Sequence, residues 1–394
     1  MIRIPIIIIA LYISLVSALA QAVEKTDSAQ YTSRKLKVEE VNFATAYYHQ
    51  EGNNAAVTGG VGSEKLTDAA TTLELRMTKS GKGNRQHTLS FELGVDFYTS
   101  ASSDKIDPST ISSASSSDVR IYPSASWMVT NPDKNFSWGL NGSVSSEYDY
   151  LSTGGGISVI KSSRDKNREV GAKFQAFIDQ VTIIYPVELR PAPDNINTSR
   201  NSFAATFTLS QIINKRLQFM LLLDIAQQQG YLSLPFNRVY FNDTSVAVEK
   251  LPDSRFKIPV GLRVNYFLGD RFILRGFYRY YQDDWGLKGN TAEIETTVKL
   301  TPFFSVSPFY RYYNQKAVDY FAPYQEHTPS QSFYTSDYDL SAFDSHFAGA
   351  GLRFISPGGI AGIKKWNLLE LRYGHYSRTT GLTSNIISLL VKFK

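Results

Sequence analysis

The sequence predicts an all-β fold, a transmembrane antiparallel β-barrel of about 16 strands, with about 14 or 18 as alternatives. Three observations support it. An export signal precedes the barrel, short segments from about residue 38 onward alternate apolar and polar side chains, and the connections alternate between short turns and mostly longer loops. In the clearest segment, Phe256 to Leu268, one face is apolar, and the other carries Lys257, Arg263 and Asn265.

Residues 1–20 have the features of a signal peptide. Arg3 supplies a positively charged n-region, residues 6–16 form an apolar h-region, and small residues at 18 and 20 form a cleavage site. We therefore expect export to the outer membrane of a Gram-negative cell.

The rest of the chain divides into a short N-terminal segment over 21–37 and a barrel over 38–394. The absence of cysteine excludes disulfides, cysteine metal sites and a lipoprotein anchor. The Ser-rich stretch 99–117 is predicted to be a loop. The net charge of +5 is modest and the basic residues alternate with acidic ones, so we expect no nucleic-acid partner.

Alternation and turn chemistry predict sixteen strands. They are 38–50, 68–79, 85–99, 119–130, 136–150, 155–162, 169–185, 202–213, 217–232, 255–268, 271–284, 290–301, 303–320, 345–355, 366–379 and 382–393. Bacterial barrels have short periplasmic turns and longer outer loops, which would put both termini on the periplasmic side.

The last strand alternates apolar residues up to Phe393, followed by Lys394. A terminal aromatic residue of this kind is typical of substrates of the barrel-assembly machinery, which we expect as a partner. Tyr278, Tyr280, Tyr310 and Tyr312 end the apolar faces of two strands at their long-loop ends, which predicts an outer aromatic girdle in contact with outer-membrane lipid.

Several stretches beside the long loops are distinctive. They are YYHQEGNNAAVTGG at 47–60, VDFYTSASSDKIDPSTISSASSSD at 95–118, EYDYLS at 147–152, LPFNRVYF at 234–241, LPDSRFKIPVGLR at 251–263, YRYYQDDWG at 278–286, DYFAPYQEH at 319–327, FYTSDYDLSAF at 333–343 and LRYGHYSRTTGL at 371–382. Together they resemble the outer-membrane family catalogued as domain of unknown function 3570. The resemblance implies an outer-membrane barrel and supplies no reaction.

Alternation also predicts which charged side chains face the lumen. The basic set is Arg263, Arg275, Arg279, Arg311, Arg353, Arg372 and Arg378, together with Arg255 and Lys257. The acidic set is Glu92, Asp96, Glu147, Asp179 and Asp224, with Glu40 and Glu74, mostly on the first nine strands; Glu293, Glu295 and Glu370 lie among the basic strands. Separate walls would create a field across a pore. The alternative is that these charges pair and fill the barrel.

Metal and catalytic motifs are weak. His49, His327 and His375 map near one rim but lack metal-site spacing, and Asp104, Asp107, Asp118, Asp337, Asp339 and Asp344 match no calcium loop. Ser377 lies near His375 without an orienting acid. We therefore expect no cofactor, no metal and no enzymatic activity.

Two functions remain. A barrel of this size encloses a lumen too wide for side chains alone to fill, which favours a porin-like passive channel of unknown solute preference. The alternative is a partner-bound barrel that sheathes or docks a lipoprotein, a redox protein or a secreted substrate.

Overall fold

The computed structural model describes residues 35–99, 117–191 and 196–394. These residues form one closed antiparallel barrel of 16 strands, in which the first strand pairs with the last. The predicted fold class is confirmed, and the strand number is 16 rather than 14 or 18. Among the described residues, no helix has the length and apolar character needed to cross a membrane.

The barrel strands run as follows: β1 (Lys37–Glu51), β2 (Leu66–Ser80), β3 (Gln86–Thr99), β4 (Ser117–Asn131), β5 (Phe136–Ser146), β6 (Tyr150–Ser162), β7 (Arg168–Ile183), β8 (Ile196–Ile212), β9 (Leu217–Gly230), β12 (Ser254–Leu268), β13 (Phe272–Asp283), β14 (Lys288–Lys299), β15 (Phe304–Gln315), β16 (Phe343–Ile355), β17 (Trp366–Arg378) and β18 (Thr383–Phe393). A hairpin of β10 (Arg238–Tyr240) and β11 (Val246–Val248) lies in the loop between β9 and β12. Short 3₁₀ helices η1 (Ala56–Thr58), η2 (Val187–Leu189) and η3 (Tyr338–Leu340) lie in other outer loops.

Period-two alternation explains the strands. On β12, Leu262 is 37% exposed on the outer face, whereas the Arg263 guanidinium lies 5.6 Å from the Phe277 ring centroid on the lumen side. Successive side chains of a strand point to opposite faces, so one apolar stripe covers the outside. The apolar side chains of the barrel therefore lie mainly outward.

Three strand boundaries differ clearly from the prediction. β6 begins at Tyr150 rather than 155, because residues 150–154 pair with β7. β8 begins at Ile196 rather than 202, because the polar segment 197–201 pairs with β7 although it lacks apolar alternation. β15 ends at Gln315 rather than 320, because the backbone N–H of Val318 donates to Leu340 O of a loop instead of to a strand.

The short turns lie at one end of the barrel. Asn84 and Asn135 adopt left-handed φ angles of 56° and 47° there, a conformation that asparagine tolerates better than most residues. The predicted signal peptide over 1–20, and residues 21–34 of the predicted N-terminal segment, lie outside the described residues.

Candidate functional site in the lumen and outer loops

Most of the predicted basic side chains are paired on the wall that carries them. Glu295 on β14 accepts hydrogen bonds from Arg275 on β13 and from Arg372 on β17, the latter at 2.6 Å. Arg311 Nε donates to Glu293 Oε2 at 2.7 Å, and Arg353 Nε lies 3.8 Å from Glu370 Oε2. The three glutamates that interrupt the basic strands are therefore the partners of these arginines.

Arg372 reaches Glu295 across two intervening strands. β16 presents Gly349 and Gly351 to the lumen along this path, and a Cβ at Gly351 would lie 3.2 Å from Arg372 Cγ. On β15, the guanidinium stacks over Phe309, 5.0 Å from its centroid. The small residues on β16 make room for this long pair.

Arg263 and Arg279 differ from their neighbours. Both are exposed to the lumen, and neither has a carboxylate partner among the described residues. Arg378, in contrast, is covered by the outer loops, where its Nη1 lies 2.7 Å from Asp339 Oδ1. The basic set thus contains paired, loop-bound and unpaired members.

The predicted acidic side chains are spread around the barrel: Asp96 lies on β3 and Asp179 on β7, whereas Asp224 lies on β9, next to β12. Asp179 accepts a hydrogen bond from Tyr150 and lies 3.7 Å from Arg200 Nε. The Tyr122 hydroxyl donates to Asp96 at 3.0 Å, the Tyr98 hydroxyl donates to Glu147 at 2.7 Å and the Thr206 hydroxyl donates to Asp224 at 2.6 Å. Arg120 Nε lies 3.6 Å from Glu147 Oε1. Glu147 lies in the connection after β5 rather than within a strand, and Glu92 has no recorded partner among the described residues.

A cluster of three carboxylates at the outer rim comes from the start of β4 and from the connection between β5 and β6. Asp118, Glu147 and Asp149 each offer an oxygen, and the three oxygens lie within 4.8 Å of one another. Burial, followed by the charge of Asp118, raises the pKa of Asp149 to about 6. Asp104 and Asp107, which were grouped with Asp118 by sequence, lie outside the described residues.

Small polar side chains line the lumen side of β4 to β8. A cavity of about 380 Å³ opens there between Ser126, Asn141, Ser158 and Thr206, beside Gly139 and Gly171. Met128, Ile160 and Lys173 also line this cavity. These residues were not singled out from the sequence, although the serines and glycines at 152, 154, 156 and 158 alternate mostly with larger residues.

The three candidate histidines do not meet. His49 and His375 lie on the outer face, each opposite Asn385 in the strand register. His327 is buried among the outer loops, with Nε2 2.9 Å from Thr335 O and Nδ1 2.9 Å from Gln331 Oε1. Register places two of the rings outside the wall and loop packing encloses the third, so these three weak metal candidates are not brought together.

The four tyrosines of the predicted girdle lie on the outer face. Tyr278 and Tyr310 are 46% and 43% exposed. Tyr310 and Tyr312 both contact the His346 ring, and the Tyr310 hydroxyl lies 2.7 Å from His346 Nδ1. The four residues occupy the ends of β13 and β15 that lead into outer loops.

The outer loops pack against one another and form what we call the loop layer, residues 52–65, 184–191, 231–253 and 316–342. Arg238, only 3% exposed, joins three of these loops. Its Nε donates to Glu188 Oε1 at 2.6 Å, and its Nη1 donates to Val57 O at 2.9 Å. A charge-assisted pair with a backbone contact holds loops that are distant in sequence.

A buried carboxylate joins two loops of the layer without a cation. Glu249 accepts hydrogen bonds from the Leu234 backbone N–H at 2.6 Å and from the Thr335 hydroxyl at 2.5 Å. Burial raises its pKa to about 7, against the lowering effect of these bonds. Burial likewise raises the pKa of Glu64 to about 7 and that of Asp337 well above its usual range.

One loop enters the barrel mouth. Gln315 and Arg378 face the lumen at the outer ends of β15 and β17, and both contact the segment around η3: Gln315 Nε2 donates to Asp339 O at 2.9 Å, and Arg378 bonds the Asp339 carboxylate. η3 therefore lies on the lumen side of the wall, where it narrows the mouth along the basic half.

The chain belongs to the family described as protein of unknown function (DUF3570), whose model matches residues 9–356. This confirms the family suggested by the loop sequences. No curated protein matches the chain.

Solved structures with a similar fold are outer-membrane proteins. A BenF-like porin from Pseudomonas fluorescens Pf-5 is 8% identical with a TM-score of 0.40, and 92% of this chain and 99% of that chain are covered. A bacterial polysaccharide outer membrane secretin is 10% identical with a TM-score of 0.44, covering 90% and 98%. A mutant ferric enterobactin receptor from Pseudomonas aeruginosa is 8% identical with a TM-score of 0.48, covering 86% and 53%.

Proposed function

We propose that the protein is a passive outer-membrane channel for small solutes, polarised across its width. The observation that carries this proposal is the closed barrel of 16 strands, whose lumen side holds a cavity of about 380 Å³ against β4 to β8. Barrels of about this strand number are too wide for side chains alone to fill and leave an aqueous path. We propose that the loop around η3 narrows this path rather than closing it.

The charge arrangement supports a field across the lumen. In the ring of strands, β2 and β3 lie opposite β12 and β13. Glu92 and Asp96 therefore lie across the lumen from Arg263 and Arg279. Charges on low-dielectric walls that face each other in this way orient dipolar solutes and water. Local pairing with Glu293, Glu295 and Glu370 reduces the field near β14 to β17. On the opposite side, Arg76, Arg120 and Arg200 lie against Glu74, Glu147 and Asp179 and reduce it there as well.

Planar-bilayer recording of the purified protein tests the channel. We expect open conductance that increases when residues 336–342 are replaced by a Gly-Ser linker, because this removes the narrowing segment. The matched control shortens 358–362, a turn at the opposite end, and should leave conductance unchanged. A correctly folded protein with no conductance, or one that co-purifies with a protein filling its lumen, would exclude the passive channel in favour of the partner-bound barrel.

Replacing Arg275, Arg279 and Arg311 with Ser tests the field. Anion preference should fall at low salt and change less at about 1 M salt, where the Debye length is about 3 Å. Equal reversal potentials with lowered thermal stability would indicate that the arginines only pair and fill the barrel.

A further inference from the structure

The lumen wall of β12 and β13 contains a gap in an otherwise regular pattern of ion pairs. Arg275, Arg311 and Arg372 each contact a glutamate. Arg263 and Arg279 lie on adjacent strands in diagonal register, because Phe277 is opposite Arg263 and Gly261 is opposite Arg279. Diagonal neighbours in a sheet are about 7–8 Å apart, within reach of long side chains.

No carboxylate of the described residues forms an ion pair with either arginine. Glu293 lies diagonal to Arg279 on β14, opposite Phe277, but it accepts a hydrogen bond from Arg311. Asp283, on the same strand as Arg279, is fully enclosed and accepts hydrogen bonds from Arg255, the Tyr281 hydroxyl and the Trp285 backbone N–H. Asp224 on β9 accepts from Thr206. Two neighbouring like charges repel each other, so the arrangement favours an anion between them.

The surface beside the two guanidinium groups is apolar. Gly261 places no side chain between the two arginines, and a Cβ there would be in ordinary contact with Phe277 at 3.4 Å and with Leu222 at 3.6 Å. The Phe277 ring already packs under Arg263, and Met220 lies opposite Arg263 on β9. The recess thus has two fork-shaped donors at one edge and a floor of Phe277, Leu222 and Met220.

We propose that this recess binds a small carboxylic acid anion with a short apolar chain. Arg263 and Arg279 donate hydrogen bonds to its carboxylate group, and its apolar chain lies over Phe277 and Leu222. Guanidinium groups match carboxylates through paired N–H donors. The floor adds a preference for methylene groups over a bare oxyanion. The inference rests on the proposed channel, since solutes must reach the recess through the lumen.

Calorimetric titration of the protein in lipid nanodiscs tests the recess with butanoate, acetate and inorganic phosphate. Two additional buried methylenes are worth about 0.8 kcal/mol each, so butanoate should bind about tenfold more tightly than acetate. Arg263→Gln/Arg279→Gln should weaken butanoate binding by about tenfold or more. The matched control, Arg275→Gln/Arg311→Gln, removes the same charge from glutamate-paired sites and should change affinity by less than about twofold.

Absence of butanoate binding, equal affinity for phosphate and butanoate, or equal losses in both double variants would overturn the assignment. Heat-modifiable migration verifies that each variant has folded. Bilayer conductance of the same preparations separates the two proposals: a conducting protein that does not bind butanoate refutes only the recess, and a binding protein that does not conduct refutes only the channel.

Discussion

Glu249→Gln should stabilise the loop layer above neutral pH. Burial raises the pKa of Glu249 from 4.5 to about 7, so the closed layer binds the Glu249 proton more tightly than the opened layer does. The ionisation of Glu249 costs the closed layer no stability below about pH 4.5. The loss of stability develops as the pH rises to about 7, and it is complete above that pH. A shift of this size corresponds to about 3 kcal/mol. Glutamine has no proton to lose and keeps an oxygen for the Leu234 N–H.

Hydrogen exchange between pH 5 and 8 measures this effect. Wild-type protection factors in 231–253 should fall with rising pH, by up to about 100-fold, whereas those of Glu249→Gln should change far less. Glu64 and Asp337 contribute a residual slope of the same sign, because burial also raises their pKa. Arg378 reduces this residual slope, because its positive charge neutralises the charge of Asp339.

Asp243→Asn is the matched control. Asp243 lies exposed in the same loop, and its hydrogen bonds with Ser245 lower its pKa. It is therefore ionised throughout the pH range, and its replacement should leave the wild-type slope intact. Wild-type protection that stays constant or rises between pH 5 and 8 would refute the reasoning.

Three further predictions concern the faces of β12, the contacts of Arg238 in the loop layer and the location of the protein in the cell. Leu262→Arg, at mid-strand on the outer face, should destabilise the barrel by about 2–4 kcal/mol, and Arg263→Leu should destabilise it less. Urea unfolding in detergent measures both changes. If Arg263→Leu costs more than Leu262→Arg, the two faces of β12 are exchanged. Arg238→Ala should cost the loop layer about 2 kcal/mol, because it removes the charge-assisted bonds to the partly exposed Glu188 and to Val57 O. Unchanged proteolysis of 184–191 and 231–253 would contradict this. The mature protein should fractionate with outer membranes and migrate differently after heating, and recovery as a soluble periplasmic monomer would contradict the proposed location.

Whereas the strand number of 16 was decided by the structure, sequence alone determined the barrel class, the position of most strands and their two faces. These follow from local alternation: the side-chain period of two separates Leu262 from Arg263 without knowledge of any partner strand. The loop stretches likewise indicated the family. The charged faces of β12 to β17 could therefore be listed before any pairing was known.

Tertiary structure alone decided what those side chains contact. Arg372 meets Glu295 only because register aligns β14 with β17 across the glycines of β16. Arg238 meets Glu188 and Val57 only because loops far apart in sequence converge at one end of the barrel. The unpaired Arg263 and Arg279 became visible in the same way. Alternation specifies a face, whereas pairing depends on the register and loop packing of distant segments, which no local pattern encodes.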